Sequence, residues 1–168
     1  MKPILTGFSQ LAYSTNDIDH AMDLYDRKYG VSSFYRLDVE LAAVVFGTEG
    51  TCSLKIGLAN VEGVQIELIE PVTDIADFFG AGLKGKAEFT LALHHVCQPV
   101  TGDIANWEAH LADLGGPDRP IVCSALGGDY ARIVFTDDRA LLGAYIEHIW
   151  MTPEAWQDIR AKVPFNRG

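Results

Sequence analysis

Residues 64–70, VQIELIE, and residues 143–150, GAYIEHIW, are the two segments that decide the fold of this chain. Each is an apolar, strand-like run with a glutamate near its middle, Glu67 in the first segment and Glu147 in the second. Burying a carboxylate is costly unless something compensates its charge. A glutamate at the same place in two similar strands indicates that the segments are equivalent parts of a duplicated fold.

The elements before each segment occur in the same order. In the first half, turn residues and hydrophobic periodicity predict a strand at 8–15, a helix from an N-cap at Asn16 to about Tyr29, and strands at 33–38, 41–46, 52–58 and 64–70. In the second half they predict a strand at 90–96, a helix from an N-cap at Thr101 to about Leu114, and strands at 121–125, 129–136 and 143–150. No turn signal separates 33–38 from 41–46, so these two can form one bent strand. Each half therefore has the order β-α-β-β-β, and such a repeat determines the whole fold prediction.

The repeat divides the chain into predicted units. These are a first βαβββ module at 1–72, a linker at 73–89 with a short helix at 73–79, a second βαβββ module at 90–150, and a C-terminal helix and tail at 151–168. Thr152 is the predicted N-cap of the last helix, and Pro153 suits its first position. We expect an α+β fold in which the two modules form a cupped mixed sheet with the helices on its outer face.

Composition narrows the class of function. The chain has 168 residues, 48% of them hydrophobic, and a net charge of −10. This charge disfavours nucleic acids and anionic membrane surfaces as partners, since both require clustered lysine and arginine. No apolar run reaches the roughly 18 residues of a membrane span, and the N-terminus lacks the apolar core of a signal peptide. The three cysteines form no C-x-x-C pair. We expect a cytoplasmic protein.

The first strands of the two halves also carry polar residues at matching places. Aligning residues 8–13, FSQLAY, with residues 93–98, LHHVCQ, sets Gln10 opposite His95. Strand alternation predicts that the other residues on the same strand face as each of these polar residues are largely apolar. It also predicts that His94 and His148 lie on the opposite, helix-covered face. The side chains that can meet in one cavity are then Gln10, Glu67, His95 and Glu147.

A divalent cation explains that convergence. Two carboxylates compensate its charge, and an imidazole nitrogen and an amide oxygen complete the ligand set, which suits Zn, Ni, Co, Mn, Fe(II) or Mg with coordination positions left open. The alternative is structural: a lone strand glutamate usually lies on a solvated face. A merely structural or oligomerising domain predicts that the four polar residues are dispersed over the surface.

Two of the quoted motifs resemble the vicinal oxygen chelate superfamily, which includes glyoxalase I, methylmalonyl-CoA epimerase, extradiol dioxygenases and bleomycin-resistance proteins. VQIELIEP at 64–71 and LHHVC at 93–97 are similar to segments of its epimerase and glyoxalase-like branch. The resemblance implies paired βαβββ modules around a metal whose ligands lie on the first and last strand of each module. Many members have histidine where this chain has Gln10, although glutamine also occurs there.

The resemblance also implies an activity. It is a metal-dependent lyase or isomerase that moves a proton beside a metal-bound carbonyl through an enediolate, as lactoylglutathione lyases or acyl-CoA epimerases do. Glu67 and Glu147 are the candidate bases, and Glu147 is favoured because its strand neighbour Tyr145 could help to hold an oxyanion or the substrate. Such a site takes a small-molecule substrate, for example a thioester or a glutathione hemithioacetal, and we expect a homodimer. The residues expected to contact the substrate are Tyr145, Phe8 and Arg132. The alternative is a non-catalytic binding protein of the bleomycin-resistance type. An extradiol-type dioxygenase fits less well, because only His95 supplies an imidazole at the ligand positions.

Overall fold

A computed structural model describes residues 5–166, so residues 1–4 and 167–168, which fall in the predicted first module and tail, lie outside the described part. The strands are β1 (Gln10–Thr15), β2 (Tyr35–Val45), β3 (Thr48–Val61), β4 (Val64–Thr73), β5 (Leu91–Pro99), β6 (Ile121–Gly127), β7 (Ala131–Asp137), β8 (Tyr145–Met151) and β9 (Phe165–Asn166). The helices are α1 (Ile18–Tyr29), α2 (Ile104–Ala112), α3 (Arg139–Leu142) and α4 (Pro153–Lys162). The order β-α-β-β-β is present in both halves, with the one-turn α3 inserted between β7 and β8 of the second half, and β2 is one continuous strand. The division into modules at the stated residues stays a prediction.

The first helix begins one residue later than predicted. Asp17, not Asn16, is the N-cap of α1, because its side chain accepts a hydrogen bond from the backbone N–H of His20 at 2.9 Å. The Asn16 side chain instead joins the chain before β5, donating to the Glu88 carbonyl and accepting from the Thr90 N–H. Both residue types are good caps, so their sequence preferences do not separate them.

The second helix is shorter than predicted for a similar reason. Its N-cap is Asp103 and not Thr101, and Asp103 forms a reciprocal capping box with Asn106. Each side chain accepts the other residue's backbone N–H at 3.1 Å. Two orphan donors of the first turn are thereby satisfied, which fixes the start of α2 at Ile104. The cap of α4 at Thr152 is confirmed, since its hydroxyl accepts from the Ala155 N–H.

The linker does not form the predicted helix at 73–79. Thr73 still belongs to β4, and two short 3-10 turns follow, at Ile75–Asp77 and Ala81–Leu83. Ala76 and Asp77 have φ angles of 54° and 52°. These left-handed values are costly for residues with a Cβ and cannot continue a right-handed helix.

The predicted cupped mixed sheet is confirmed, and it closes on itself. The strand order is β2-β6-β7-β8-β5-β1-β4-β3-β9, and β2 pairs with β3 as well as with β6. The pairing of β2 with β6, from Ala42↔Leu126 to Val45↔Cys123, joins the two free edges into an eight-stranded barrel. The short β9 extends one end of β3 in parallel. Within residues 5–166, no helix has the length and apolarity to cross a membrane.

The two faces of the barrel wall bury different clusters. Outside, α1 covers an apolar cluster that includes Ile18, Ala21 and Leu68, while α2 covers one that includes Trp107 and Trp150. Inside lies a third cluster, to which nearly every barrel strand contributes: Ala12, Ala43, Val45, Cys52, Leu54, Ile69, Phe78, Phe79, Cys123, Ala125, Phe135 and Tyr145. Two of its members, Phe78 and Phe79, come from the linker rather than from the wall.

Candidate metal centre

The four predicted ligands lie on four neighbouring strands of the barrel, in the order β4-β1-β5-β8. The strand registers arrange the inward-facing residues of these strands in two rows. One row is Gln65, Gln10, Cys97 and Glu147. The other row is Glu67, Ala12, His95 and Tyr145. The first and last strands of each module, which look unrelated along the sequence, therefore form one continuous patch of the inner wall.

Both glutamates reach the same imidazole nitrogen. Glu67 Oε2 lies 3.3 Å from His95 Nε2, and Glu147 Oε2 lies 3.5 Å from the same atom. The side chain of Glu67 is 12% exposed, that of Glu147 is 10% exposed and that of His95 is 1% exposed. Neither contact has hydrogen-bond geometry, so among residues 5–166 the buried His95 Nε2 has no hydrogen-bond partner.

His94 also points into the barrel, so its predicted placement on the helix side is wrong. The pairing of β1 with β5 shifts between Ala12↔His95 and Tyr13↔Leu93, which leaves His94 as the extra residue of a β-bulge. A bulge breaks the two-residue alternation and allows consecutive side chains to take the same face. The Nδ1 atoms of His94 and His95 lie 2.9 Å apart. His148, by contrast, is on the outer face as expected, with Nδ1 2.9 Å from His110 Nε2.

The electrostatics of the patch centre on His95. Burial alone would lower the pKa of its imidazole, but the charges and contacts of Glu147 and Glu67 outweigh burial and raise this pKa to about 9. Burial raises the pKa of Glu67. Burial would also raise that of Glu147, but attraction to His95 leaves the Glu147 pKa below its ordinary value. Burial, and then the neighbouring His95, lower the pKa of His94 to about 3.

Gln10 lies on the same inner face, next to a residue that the sequence reasoning missed. Its amide nitrogen donates to Gln65 Oε1 at 2.8 Å, across the parallel pairing of β1 and β4. This bond orients the Gln10 amide and leaves its carbonyl oxygen as the atom available to a cation. The signal for Gln65 was present, because alternation along VQIEL places it on the face of Glu67.

The three predicted substrate contacts lie in different places. Tyr145 is inside the barrel, with its ring 4.8 Å from that of Phe78 and 5.1 Å from that of His94. Phe8 precedes β1 and is 45% exposed. Arg132 donates to the carbonyls of Gly128 and Ala131 in its own hairpin and borders a groove of about 630 Å³ beside α2, away from the patch.

The donor set fits a divalent cation. In tetrahedral sites with metal–ligand distances of about 2.0–2.2 Å, donor atoms stand roughly 3.4 Å apart. The separations of His95 Nε2 from the two carboxylates agree with this value. As they stand, no three His, Cys, Asp or Glu side chains within the described range form a ready-made metal cage. Small rotations of the glutamates would therefore have to accompany binding.

Comparison with solved structures identifies the fold. A methylmalonyl-CoA epimerase from Mycobacterium tuberculosis matches 94% of this chain over 95% of its own length, at 17% identity and a TM-score of 0.57. A methylmalonyl-CoA epimerase in complex with methylmalonyl-CoA and NH4+ matches 89% of the chain over 96% of its own, at 18% identity and a TM-score of 0.55. A hypothetical protein from Bacillus halodurans matches 87% of the chain over 94% of its own, at 14% identity and a TM-score of 0.54.

These matches show that the chain has the same fold as the solved methylmalonyl-CoA epimerases. At such low identities the likeness concerns the fold alone. No protein-family model matches the chain, and no curated protein matches it.

Proposed function

We propose that the protein is an isomerase that moves a proton at a carbon beside a carbonyl group, with a divalent cation held by Glu67, His95, Glu147 and Gln10. One observation carries the proposal: two carboxylates lie within 3.5 Å of a buried imidazole nitrogen that has no hydrogen-bond partner among the described residues. Two buried carboxylates against one imidazole require a positive charge beside them, which either a proton on His95 Nε2 or a cation in its place supplies.

The chemistry follows from what these side chains can do. When bound, a divalent cation polarises a carbonyl oxygen and acidifies the adjacent C–H. An oxygen of Glu67 or Glu147 would then accept the proton from that carbon as a general base. Addition of a proton to the opposite face of that carbon, from the other carboxylate, gives the epimer, whereas return of the proton to the neighbouring carbon gives a glyoxalase-type product. The substrate is neither oxidised nor reduced in either case.

The proposed substrate class is an acyl thioester. The solved structures that share this fold include epimerases in complex with methylmalonyl-CoA and with 2-nitronate-propionyl-CoA, which supports an acyl-CoA over a hemithioacetal. Methylmalonyl-CoA has an acidic C–H between two carbonyl groups, which is the kind of proton that this pair of carboxylates could move. A homodimer and a cytoplasmic location stay predictions from the sequence.

The main alternative is a protein that binds a small hydrophobic ligand without catalysing a reaction. Such a ligand would need an open apolar cavity, and the aromatic packing inside the barrel argues against one. The residues that would line a hydrophobic cavity instead contact one another: the ring of Phe78 lies 5.2 Å from that of Phe135 and 5.0 Å from that of Phe79. A ligand would have to displace this packing. The residues proposed to hold the cation lie beside this packing, on the side of the interior where Gln10 and Gln65 are.

The test is exchange of the substrate proton with solvent. Protein loaded with Zn²⁺, Co²⁺ or Mn²⁺ is incubated with methylmalonyl-CoA in D₂O, and deuterium at the acidic carbon is followed by NMR; the hemithioacetal of methylglyoxal and glutathione is tested in parallel. We expect exchange with the thioester, lost in Glu67→Gln or Glu147→Gln and retained in Glu62→Gln at an exposed turn. Metal binding without exchange in one glutamine variant identifies the base. Exchange unchanged in both variants would refute the proposal.

A further inference from the structure

His94 and His95 share a buried hydrogen bond, and the surrounding groups determine which of the two histidines is the donor. His94 Nε2 lies 3.0 Å from the backbone carbonyl oxygen of Phe78. A carbonyl oxygen can only accept, so this nitrogen of His94 must carry a proton and donate it. The other nitrogen of His94 then faces His95 Nδ1 at 2.9 Å.

His94 can hold only that one proton. Its ring is surrounded by the rings of Phe78, Phe79, Phe135 and Tyr145, all within 6.2 Å between centroids. A charged imidazole in this apolar interior, with no carboxylate of residues 5–166 paired with it, would carry a large desolvation cost. His94 is therefore neutral with a bare Nδ1, and the proton between the two histidines belongs to His95 Nδ1.

The consequence reaches the cation site. When a cation takes the place of the proton on Nε2, His95 keeps its proton on Nδ1 and presents the lone pair of Nε2 to the cation between Glu67 and Glu147. The opposite tautomer would place an N–H against the carboxylates and satisfy them without a cation. The hydrogen bond that His95 Nδ1 donates to His94 thus decides whether His95 Nε2 acts as a metal ligand or as a hydrogen-bond donor.

The linker fixes the position of the Phe78 carbonyl, which is the acceptor for His94 Nε2. The Ser14 hydroxyl donates to the Phe79 carbonyl at 2.5 Å, and the Asp74 carboxylate accepts from the backbone N–H groups of Phe79 and Gly80. The Phe78 side chain is fully buried in the barrel. The acceptor for His94 is therefore a carbonyl of fixed position rather than a mobile side chain.

We propose that His94 is a positioning residue: held by the Phe78 carbonyl, it fixes His95 as the Nδ1-protonated tautomer and so directs His95 Nε2 at the cation site. The inference deepens the proposed function and rests on it for the identity of what binds there. Outer partners of this kind typically change metal affinity by about 10- to 100-fold when they are removed.

Two measurements test the inference. The first is a ¹⁵N–¹⁵N coupling across the hydrogen bond between the two Nδ1 atoms, recorded by NMR on protein labelled at histidine, with and without Zn²⁺. The second is the Zn²⁺ affinity, by calorimetry, of wild type, His94→Phe, His94→Gln and the control His110→Phe on the outer face. The glutamine amide can still accept from His95 and donate to Phe78, so it reports on the relay even if the phenylalanine variant fails to fold.

We expect the coupling with the proton on His95, a 10- to 100-fold weaker Zn²⁺ affinity in His94→Phe, partial recovery in His94→Gln, and no change in His110→Phe. A proton on His94 Nδ1, absence of the coupling, or wild-type affinity in both His94 variants would overturn the inference. The coupling in a wild-type protein that binds no Zn²⁺ would support the hydrogen-bond relay and refute the proposed function, so the two failures are distinguishable.

Discussion

Glu67 Oε2 lies 3.3 Å from His95 Nε2 although the strands that carry them, β4 and β5, are separated by β1. The residue of β1 that lies between them in register is Ala12, which is fully buried. Because alanine ends at Cβ, the Glu67 side chain can cross over β1 and reach the imidazole.

A larger side chain at position 12 should therefore separate the two groups. We predict that Ala12→Leu weakens Zn²⁺ affinity by at least about tenfold, while overpacking lowers the free energy of unfolding by about 1–3 kcal/mol. Calorimetric Zn²⁺ titration and urea unfolding measure the two effects. The matched control is Ala125→Leu, another buried alanine of the interior, which should lose similar stability and keep its Zn²⁺ affinity. Equal affinity losses in both variants would contradict the role assigned to Ala12.

The linker should contribute strongly to stability, because Phe78 fills the barrel. Its ring contacts those of Phe46, Phe79, His94, Phe135 and Tyr145. We predict that Phe78→Ala lowers the free energy of unfolding by about 3–5 kcal/mol, the usual loss for a fully buried phenylalanine. Phe165→Ala, at a side chain that is 69% exposed, should change it by no more than about 0.5 kcal/mol. Similar losses in the two variants, measured by urea unfolding, would show that the linker does not fill the interior.

The outer-face histidine pair should make the protein sensitive to acid. Burial and the neighbouring His110 lower the pKa of His148 to about 4, below its value of about 6.5 in the unfolded chain. The folded protein therefore binds fewer protons, and stability is lost as the pH falls from about 6.5 to 4, by roughly 3 kcal/mol. Arg119 also disfavours protonation of His148, whereas Glu147 favours it.

Unfolding free energies at pH 7, 5.5 and 4 measure this loss. The variant His148→Gln keeps a polar group beside His110 and Thr136 but cannot titrate, so its stability should fall less steeply in that range. His20→Gln, at an exposed position, should retain the wild-type slope. A slope that is the same in all three proteins would mean that His148 is protonated equally in the folded and unfolded states.

The start of the second helix gives a local prediction. Asp103 caps α2 through a capping box, whereas Thr101 lies outside it. Asp103→Ala should lower the free energy of unfolding by about 1 kcal/mol, and Thr101→Ala should leave it nearly unchanged. Thermal or urea unfolding of the two alanine variants checks the assignment, and a larger loss in Thr101→Ala would reverse it.

The sequence was informative where structure follows from local pattern. The β-α-β-β-β order of both halves, the inward faces of Gln10, Glu67 and Glu147, and the cap at Thr152 all follow from alternation, turn residues and capping preference. The choice between Asn16 and Asp17, or between Thr101 and Asp103, depends on which partner each side chain finds in the fold. Neighbouring caps of similar propensity do not carry that information.

The remaining features depend on contacts between distant segments. The bulge that turns His94 inward arises from the register of β5 against β1, and the closure of the barrel arises from the pairing of β2 with β6. The burial of Phe78 and Phe79 likewise depends on a barrel that the linker does not itself build. Periodicity within one segment cannot reveal any of these, which is why the linker was predicted as a helix and His94 as an outer residue.

Anomalous diffraction from a crystal grown with Zn²⁺ would show whether Glu67, His95 and Glu147 hold one cation. We predict a single strong peak inside the barrel, about 2.0–2.2 Å from His95 Nε2 and from an oxygen of each glutamate. A crystal in which His95 Nε2 donates directly to the carboxylates, with no peak between them at saturating Zn²⁺, would contradict it.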